Sequence, residues 1–289
     1  MRWVKVAVRT NETAMEAVSA ALEALGTGGT LFEDGPTAVG YLPADDRFEP
    51  SLDALQAALD RMPALGIDPT PAGVTLTFVE DEDWANAWKA HYQPIPISDR
   101  VTIAPTWAEY APRPDEVVIR LDPGMAFGTG GHATTRLCLR ALEDLLRGGE
   151  RVADVGTGSG VLAIGAAMLG AAQVDAVDTD PVAIAAARAN FETNGVGDRI
   201  DSRVGDRLIG LGGPYDLVIA NILPNVVSIL AATAFQKLRP GGIYLVSGLT
   251  VPYEEDVTEA LVDAGFTMEH RWEEERWLAL TARRPETPD

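Results

Sequence analysis

The sequence predicts an α/β protein in two parts, a small α+β unit followed by a larger parallel sheet covered by helices on both faces. Three observations carry this. The first eighty residues run strand-helix-strand-strand-helix-strand. From about residue 100 the chain alternates strand and helix, and two glycine clusters, "LDPGMAFGTGGHATTRLCL" and "VADVGTGSG", each precede a helix. A chain of 289 residues is long enough for one large domain or two ordinary ones. With 46% hydrophobic and 23% charged residues it can bury a sizeable core.

In the first part "RWVKVAV" alternates apolar and polar residues as a strand does. Ala14, Val18, Ala21, Leu22 and Leu25 then follow the stripe of an amphipathic helix. The short strands "TLFED" and "TAVGYL" flank a turn at Gly35-Pro36. Leu52, Leu55, Leu59 and Met62 make a second helical stripe, with Ser51 as its expected N-cap. "VTLTFV" closes a ferredoxin-like unit over residues 1–80. This unit holds no cluster of catalytic residue types, which favours a substrate-docking module over a purely structural lid. Residues 81–104 read as a linker. Trp84 and Trp88 lie one helical turn apart there as packing anchors, and Pro94 and Pro96 stiffen an extended segment.

Residues 105–289 read as the catalytic domain. "RVADV" leads through glycines into the helix "VLAIGAAML", which stops at Gly170. "QVDAVD" is a strand, followed by Asp180 as N-cap and Pro181 as first residue of a helix that ends at Asn194-Gly195. Strands follow at "RIDSRVG", "YDLVIANI" and "GGIYLVSG", then a helix through "EEDVTEALVDAG" and a closing pair of strands in "TMEHRWEEERWLALTARR". Such alternation gives a parallel sheet whose ligands bind at the carboxyl ends of the strands, near the switch point.

Composition excludes several classes. The formal charge is −20, from 43 acidic and 23 basic residues. That field repels nucleic acid overall, so no direct nucleic acid is required as partner, and it attracts a basic protein. Cys138 is the only cysteine, which rules out an intrachain disulfide and a cysteine-cluster metal site. No window holds the ~18 apolar residues of a spanning helix; "ANILPNVVSILAATAF" is broken by Pro224 and Asn225. A cytoplasmic protein without membrane or metal is expected.

The cluster "DVGTGSG" spaces its glycines at 156, 158 and 160, and Val161 stands where a dinucleotide fingerprint requires glycine. No Lys-Ser or Lys-Thr follows, so the phosphate-loop pattern fails too. The pattern around Asp154, Gly156, Gly158 and Gly160 instead resembles the first motif of S-adenosylmethionine-dependent methyltransferases of the Rossmann-like fold. Asp178 ends the next strand about twenty residues on, where a carboxylate can accept both hydrogens of a ribose diol.

The other cluster resembles the D-P-G-x-A-F-G-T-G-x-H-x-T-T signature of the ribosomal protein L-eleven methyltransferases, the PrmA family. "VADVGTGSGVLAIGAAMLG", "VDTDPVAI" and "IANILPNVV" are similar to that family's segments in the same order, and the likeness runs from about Trp84 to about Trp277. The resemblance implies S-adenosyl-L-methionine as cofactor, with Thr135, Gly156, Asp178 and Asn221 contacting it. It also implies a basic large-subunit ribosomal protein as partner, modified on lysine side chains and on its N-terminal amine.

The helix predicted over 132–147 buries Cys138, Ala141, Leu142, Leu145 and Leu146, so its N-terminus, with Thr134 and Thr135, lies over the sheet's carboxyl end. There the free N–H groups and threonine hydroxyls can take the cofactor's carboxylate. Gly124, Gly128, Gly130 and Gly131 let the preceding segment close over the ligand, and Phe127 supplies an apolar wall. Asn221 is expected to aim the acceptor amine. His132 reads as a helix cap in preference to a general base, and Cys138 as inert. An RNA or small-molecule methyltransferase, or a catalytically silent homologue that binds the partner, are the alternatives.

Overall fold

A computed structural model describes residues 3–27, 30–33, 35–45, 47–65, 67–79, 93–122 and 131–286. The described residues fall into two compact units, one ending at Gln93 and the other beginning at Pro94.

The first unit contains strands β1 (Trp3–Arg9), β2 (Leu31–Glu33), β3 (Thr37–Pro43) and β4 (Gly73–Val79), with helices α1 (Met15–Glu23) and α2 (Phe48–Arg61). The strands form one antiparallel sheet in the order β2-β3-β1-β4, which is the ferredoxin-like arrangement. Its core follows from period-two burial on β1. Val4, Val6 and Val8 are fully buried and pack with Val18 and Leu22 of α1 and Leu55 and Leu59 of α2. Ser51 does not cap α2. The helix starts three residues earlier, and the Ser51 hydroxyl donates back to the Arg47 carbonyl at 2.8 Å. Pro50 explains the shift, because a proline is tolerated in the first turn, where its missing N–H is not needed.

The second unit begins with a small sheet that periodicity did not predict. Its strands are β5 (Ile95–Pro96), β6 (Val101–Ala104) and β7 (Val117–Arg120), with β6 antiparallel to β5 and parallel to β7. The linker tryptophans Trp84 and Trp88 lie outside the described residues.

The large sheet has seven strands in the order β10-β9-β8-β11-β12-β14-β13. These are β8 (Arg151–Val155), β9 (Gln173–Asp178), β10 (Ile200–Val204), β11 (Tyr215–Asn221), β12 (Leu238–Thr250), β13 (Thr267–Glu274) and β14 (Trp277–Arg283). From β10 to β12 all neighbours are parallel, whereas β14 runs antiparallel between β12 and β13. The closing strand pair is therefore a reversed hairpin, as the sequence predicted.

Helices α3 (Ala133–Leu145), α4 (Val161–Met168) and α5 (Pro181–Thr193) contribute to one core, and α6 (Pro224–Lys237) and α7 (Glu254–Asp263) to the other. Strand residues alternate between them: Val152, Leu217 and Ile219 enter the first core, and Ala153, Val155, Val218 and Ala220 the second. Pro224, which interrupts the apolar stretch, is the first residue of α6. Asp180 caps α5 by accepting the Val182 N–H at 2.8 Å, as its place before Pro181 predicts. Cys138 is fully buried on α3, and burial pushes its thiol up to about 12, which leaves it protonated and unreactive.

Candidate active site

The sheet reverses its order between β8 and β11, because the chain adds β9 and β10 on one side of β8 and then returns to add β11 on the other. Register places the carboxyl ends level. Val155 pairs with Val177 on one side and with Ala220 on the other, and Asn221 pairs with Ser247. The next residues, Asp178, Gly156 and Asn221, thus form one row across β9, β8 and β11. The crevice at such a switch point is where open α/β sheets bind ligands.

The loop after β8 is tied to this row by its own backbone. The Gly156 and Thr157 N–H groups both reach the Val177 carbonyl, at 2.8 and 3.1 Å, and the Gly160 N–H donates to the Thr157 carbonyl at 2.8 Å. Gly156 has φ +72°, and a Cβ there would sit 2.4 Å from Cγ2 of Ile222. Gly248, inside β12 where its pairing with β14 shifts register, has φ +84°, and a Cβ on it would sit 2.2 Å from the Ile222 carbonyl oxygen. The chain immediately after Asn221 is therefore enclosed by two backbones that only glycine lets so close.

Two carboxylates hold the loop from below and from the side. Asp154 is 1% exposed, and its Oδ2 accepts the Thr157 hydroxyl at 2.6 Å. Burial pushes the Asp154 carboxyl up to about 6, against the hydrogen bonds from Thr157 and the Ala163 N–H and with the nearby charge of Asp178 adding to the rise. Asp178 accepts the Gly158 N–H on Oδ2 at 2.9 Å and the Asp180 N–H on Oδ1 at 3.0 Å. Each of its oxygens keeps a further lone pair, so the group has the spare acceptors that a diol requires.

The N-terminus of α3 meets this row from the first core. His132 is its N-cap, and Nδ1 accepts the Thr134 N–H. The Thr135 N–H donates to the His132 carbonyl at 3.1 Å. Asn221 Nδ2 donates to Thr134 Oγ1 at 3.2 Å, which joins the end of β11 to α3. Thr135 is fully buried, and its hydroxyl has no partner among the described residues. Such an orphan is costly unless something completes it. A polar ligand group at the helix N-terminus would do so, and this fits a cofactor carboxylate. The structure thus brings Thr134, Thr135, Gly156, Gly158, Asp178 and Asn221 to one edge of the sheet. Phe127, Gly124, Gly128 and Gly130 lie outside the described residues.

Some contacts had no signal in the sequence. Arg136 Nη1 donates to the Gly131 carbonyl, and Arg136 Nε and Arg140 Nη1 donate to Glu274 at 2.6 and 2.8 Å. Burial alone would raise the Glu274 carboxyl, but the two guanidiniums outweigh it and hold the group below its ordinary range. The His132 ring also packs edge-on to Trp277, with centroids 4.6 Å apart. The β13–β14 hairpin therefore anchors the start of α3, through pairs more than 130 residues apart that no local pattern reveals. Among the described residues no group of His, Cys, Asp and Glu could hold a metal ion, and no helix is long and apolar enough to cross a membrane.

A glycine cradle, an acidic strand end and a reversed terminal hairpin together define a methyltransferase of the Rossmann-like, S-adenosylmethionine-dependent class. The family model described as "Ribosomal protein L11 methyltransferase (PrmA)" matches residues 2–285, and the chain belongs to that family. It is 41% identical to a protein of an Exiguobacterium species named "Ribosomal protein L11 methyltransferase", covering 98% of this chain and 100% of that one. A protein of the same name from Bacillus cytotoxicus is 39% identical, covering 98% of this chain and 99% of the relative. Among solved structures, the ribosomal protein L11 methylase from Lactobacillus delbrueckii subsp. bulgaricus superposes with TM-score 0.64 at 35% identity. That match covers 68% of this chain and 100% of the other.

The raised Asp154 carboxyl has a consequence for stability. Its pKa lies above the ordinary value of 3.8, so the folded protein takes up this proton first as pH falls. Its stabilising contribution is complete below the ordinary value and is lost as pH rises through about 6. Asp154→Asn removes this titration. The gain in unfolding free energy between pH 7 and pH 4.5 should shrink in the variant by about 2 kcal/mol relative to the parent. Denaturant melts at the two pH values check this, and an equal gain in both proteins would refute it.

Proposed function

We propose that this chain transfers methyl groups from S-adenosylmethionine to several amines of ribosomal protein L11, both lysine side chains and the N-terminal amine. The row of Asp178, Gly156 and Asn221 at the switch point, under the orphaned Thr135 hydroxyl, carries the reading. The full-length similarity to relatives whose names contain that substrate supports it.

In this reading Asp178 accepts the ribose hydroxyls, Gly156 and Gly158 let the backbone approach, and Thr135 takes the carboxylate. S-adenosylmethionine supplies an electrophilic methyl on a sulfonium. The amine lone pair forms the new C–N bond while the C–S bond breaks and its electron pair stays on sulfur. Charge disperses in this step, so alignment and a dry site do most of the work. Asn221 offers its side-chain carbonyl to the neutral amine. Delivering a neutral amine at pH 7 costs about 4–5 kcal/mol for lysine and about 1 for an α-amino group. After Asn221 the chain reads Ile222-Leu223-Pro224, not the Asn-Pro-Pro-aromatic motif associated with amide or adenine methylation. This favours an aliphatic amine.

Acceptors of such different shape on one partner call for a separate docking element, which we assign to the first unit. The charge of −20 suits a basic ribosomal protein and speeds the encounter. A cytoplasmic location follows from such a partner.

Mass spectrometry of ribosomal protein L11 after incubation with enzyme and S-adenosylmethionine should find methyl increments on lysines and on the N-terminal amine. Unmodified protein alongside methylated RNA would overturn the proposal. A chain starting at Pro94 keeps β5 paired with β6 and should still bind S-adenosylmethionine while losing most of the protein methylation. Undiminished methylation by it would remove the docking role of the first unit. Asp178→Ala should weaken S-adenosylmethionine at least tenfold by calorimetry, since each hydrogen bond to a charged group contributes about 1.5–3 kcal/mol. An unchanged affinity would sink that assignment.

A further inference from the structure

We propose that Thr134 and His132 are positioning residues that set which end of the Asn221 carboxamide faces the reacting amine. The inference rests on the reading of Asn221 just given and deepens it.

The argument is one of counting protons. The Thr134 N–H, which can only donate, lies 3.4 Å from His132 Nδ1, and this assigns His132 the tautomer with its proton on Nε2 and Nδ1 as acceptor. Thr134 Oγ1 lies 2.8 Å from the same nitrogen. In that tautomer the hydroxyl proton of Thr134 points to Nδ1. A hydroxyl has a single proton, so on its other side Thr134 Oγ1 can only accept. That side faces Asn221 at 3.2 Å, and the atom presented there is Nδ2.

A carboxamide is planar, so fixing Nδ2 on Thr134 directs Oδ1 the opposite way. The flipped amide would set its carbonyl oxygen against the Thr134 oxygen with no proton between them. Thr134 is 1% exposed, so water is poorly placed to repair that clash. The His132 ring cannot easily turn away, because it packs edge-on against Trp277 at 4.6 Å between centroids. His132 thus serves the reaction as a cap that commits one proton, not as a base. The Thr135 hydroxyl takes no part in this chain of bonds and stays available to a ligand.

The test is a double-mutant cycle on turnover, with ribosomal protein L11 as acceptor and S-adenosylmethionine saturating. Thr134→Val keeps the shape and removes the hydroxyl, Thr134→Ser keeps the hydroxyl, and Asn221→Ala removes the oriented group. Melting curves establish that each variant folds. Thr134→Val should lower kcat about tenfold or more, and Thr134→Ser should stay within about threefold of the parent. In the Asn221→Ala background, Thr134→Val should cause no further loss. Equal losses in both backgrounds would overturn the inference, as would a harmless Thr134→Val beside a damaging Asn221→Ala. A Thr134→Val variant that weakens S-adenosylmethionine in calorimetry at unchanged kcat would also overturn it, by making Thr134 a cofactor contact. A harmless Asn221→Ala would overturn the reading of Asn221 itself, and the inference with it.

Discussion

The site depends on the register of four parallel strands. Val177, Val155, Ala220 and Val246 lie level across β9, β8, β11 and β12, so the residues that follow them come out of the sheet at one height. A slip of one residue on any strand would turn its side chains to the opposite face. Burial on both sides prevents that. Val152 belongs to one core and Ala153 to the other, and Leu217 and Val218 divide in the same way. The chemistry-bearing row thus inherits its precision from apolar packing on both faces of the sheet.

Height alone would leave the row open to rotation, and the remaining contacts remove that freedom. Asp154 and Asp178 grip the glycine loop through Thr157 and Gly158. Gly156 and Gly248 close around Ile222, so the backbone after Asn221 has little room to move. On the far side Glu274 clamps Arg136 and Arg140 on the first turns of α3. Arg136 also reaches back to the Gly131 carbonyl, where the glycine-rich segment joins the helix. A helix start fixed from the hairpin and a loop fixed from the strands meet in the bond between Asn221 and Thr134.

How much of this is legible in the sequence follows from how local each cause is. The glycine loop, Asp178 at the next strand end and Asp180-Pro181 at the start of α5 depend on neighbours within about two dozen residues. Their spacing shows in the chain. The ferredoxin-like order is legible for the same reason, as stripes on α1 and α2 and alternation on β1. Ser51 misleads because its residue type suits a cap while Pro50 lets the helix begin earlier. Strands β5 and β6, of two and four residues, are too short to show a period. α6 hides behind Pro224, which looks like a break and serves as a helix start. The bonds of Asn221 to Thr134 and of Glu274 to Arg136 span 87 and 138 residues, and only the folded sheet brings them together.

The acidic groups at this edge already have work to do. Asp154 is buried under Thr157, Asp178 accepts two backbone N–H groups, and Glu274 is shared by two arginines. His132 Nδ1 is committed to Thr134. Groups held in this way can orient an amine better than they can remove its proton. The cost of deprotonation then falls mainly on the acceptor, and it is several kcal/mol larger for a lysine than for an α-amino group. A site that accepts both must recover the difference from binding energy gained elsewhere on the partner. Under the proposed function, that requirement would give the ferredoxin-like unit a physical reason to be part of the enzyme: it would hold the partner while different amines are offered to the Asn221 carboxamide.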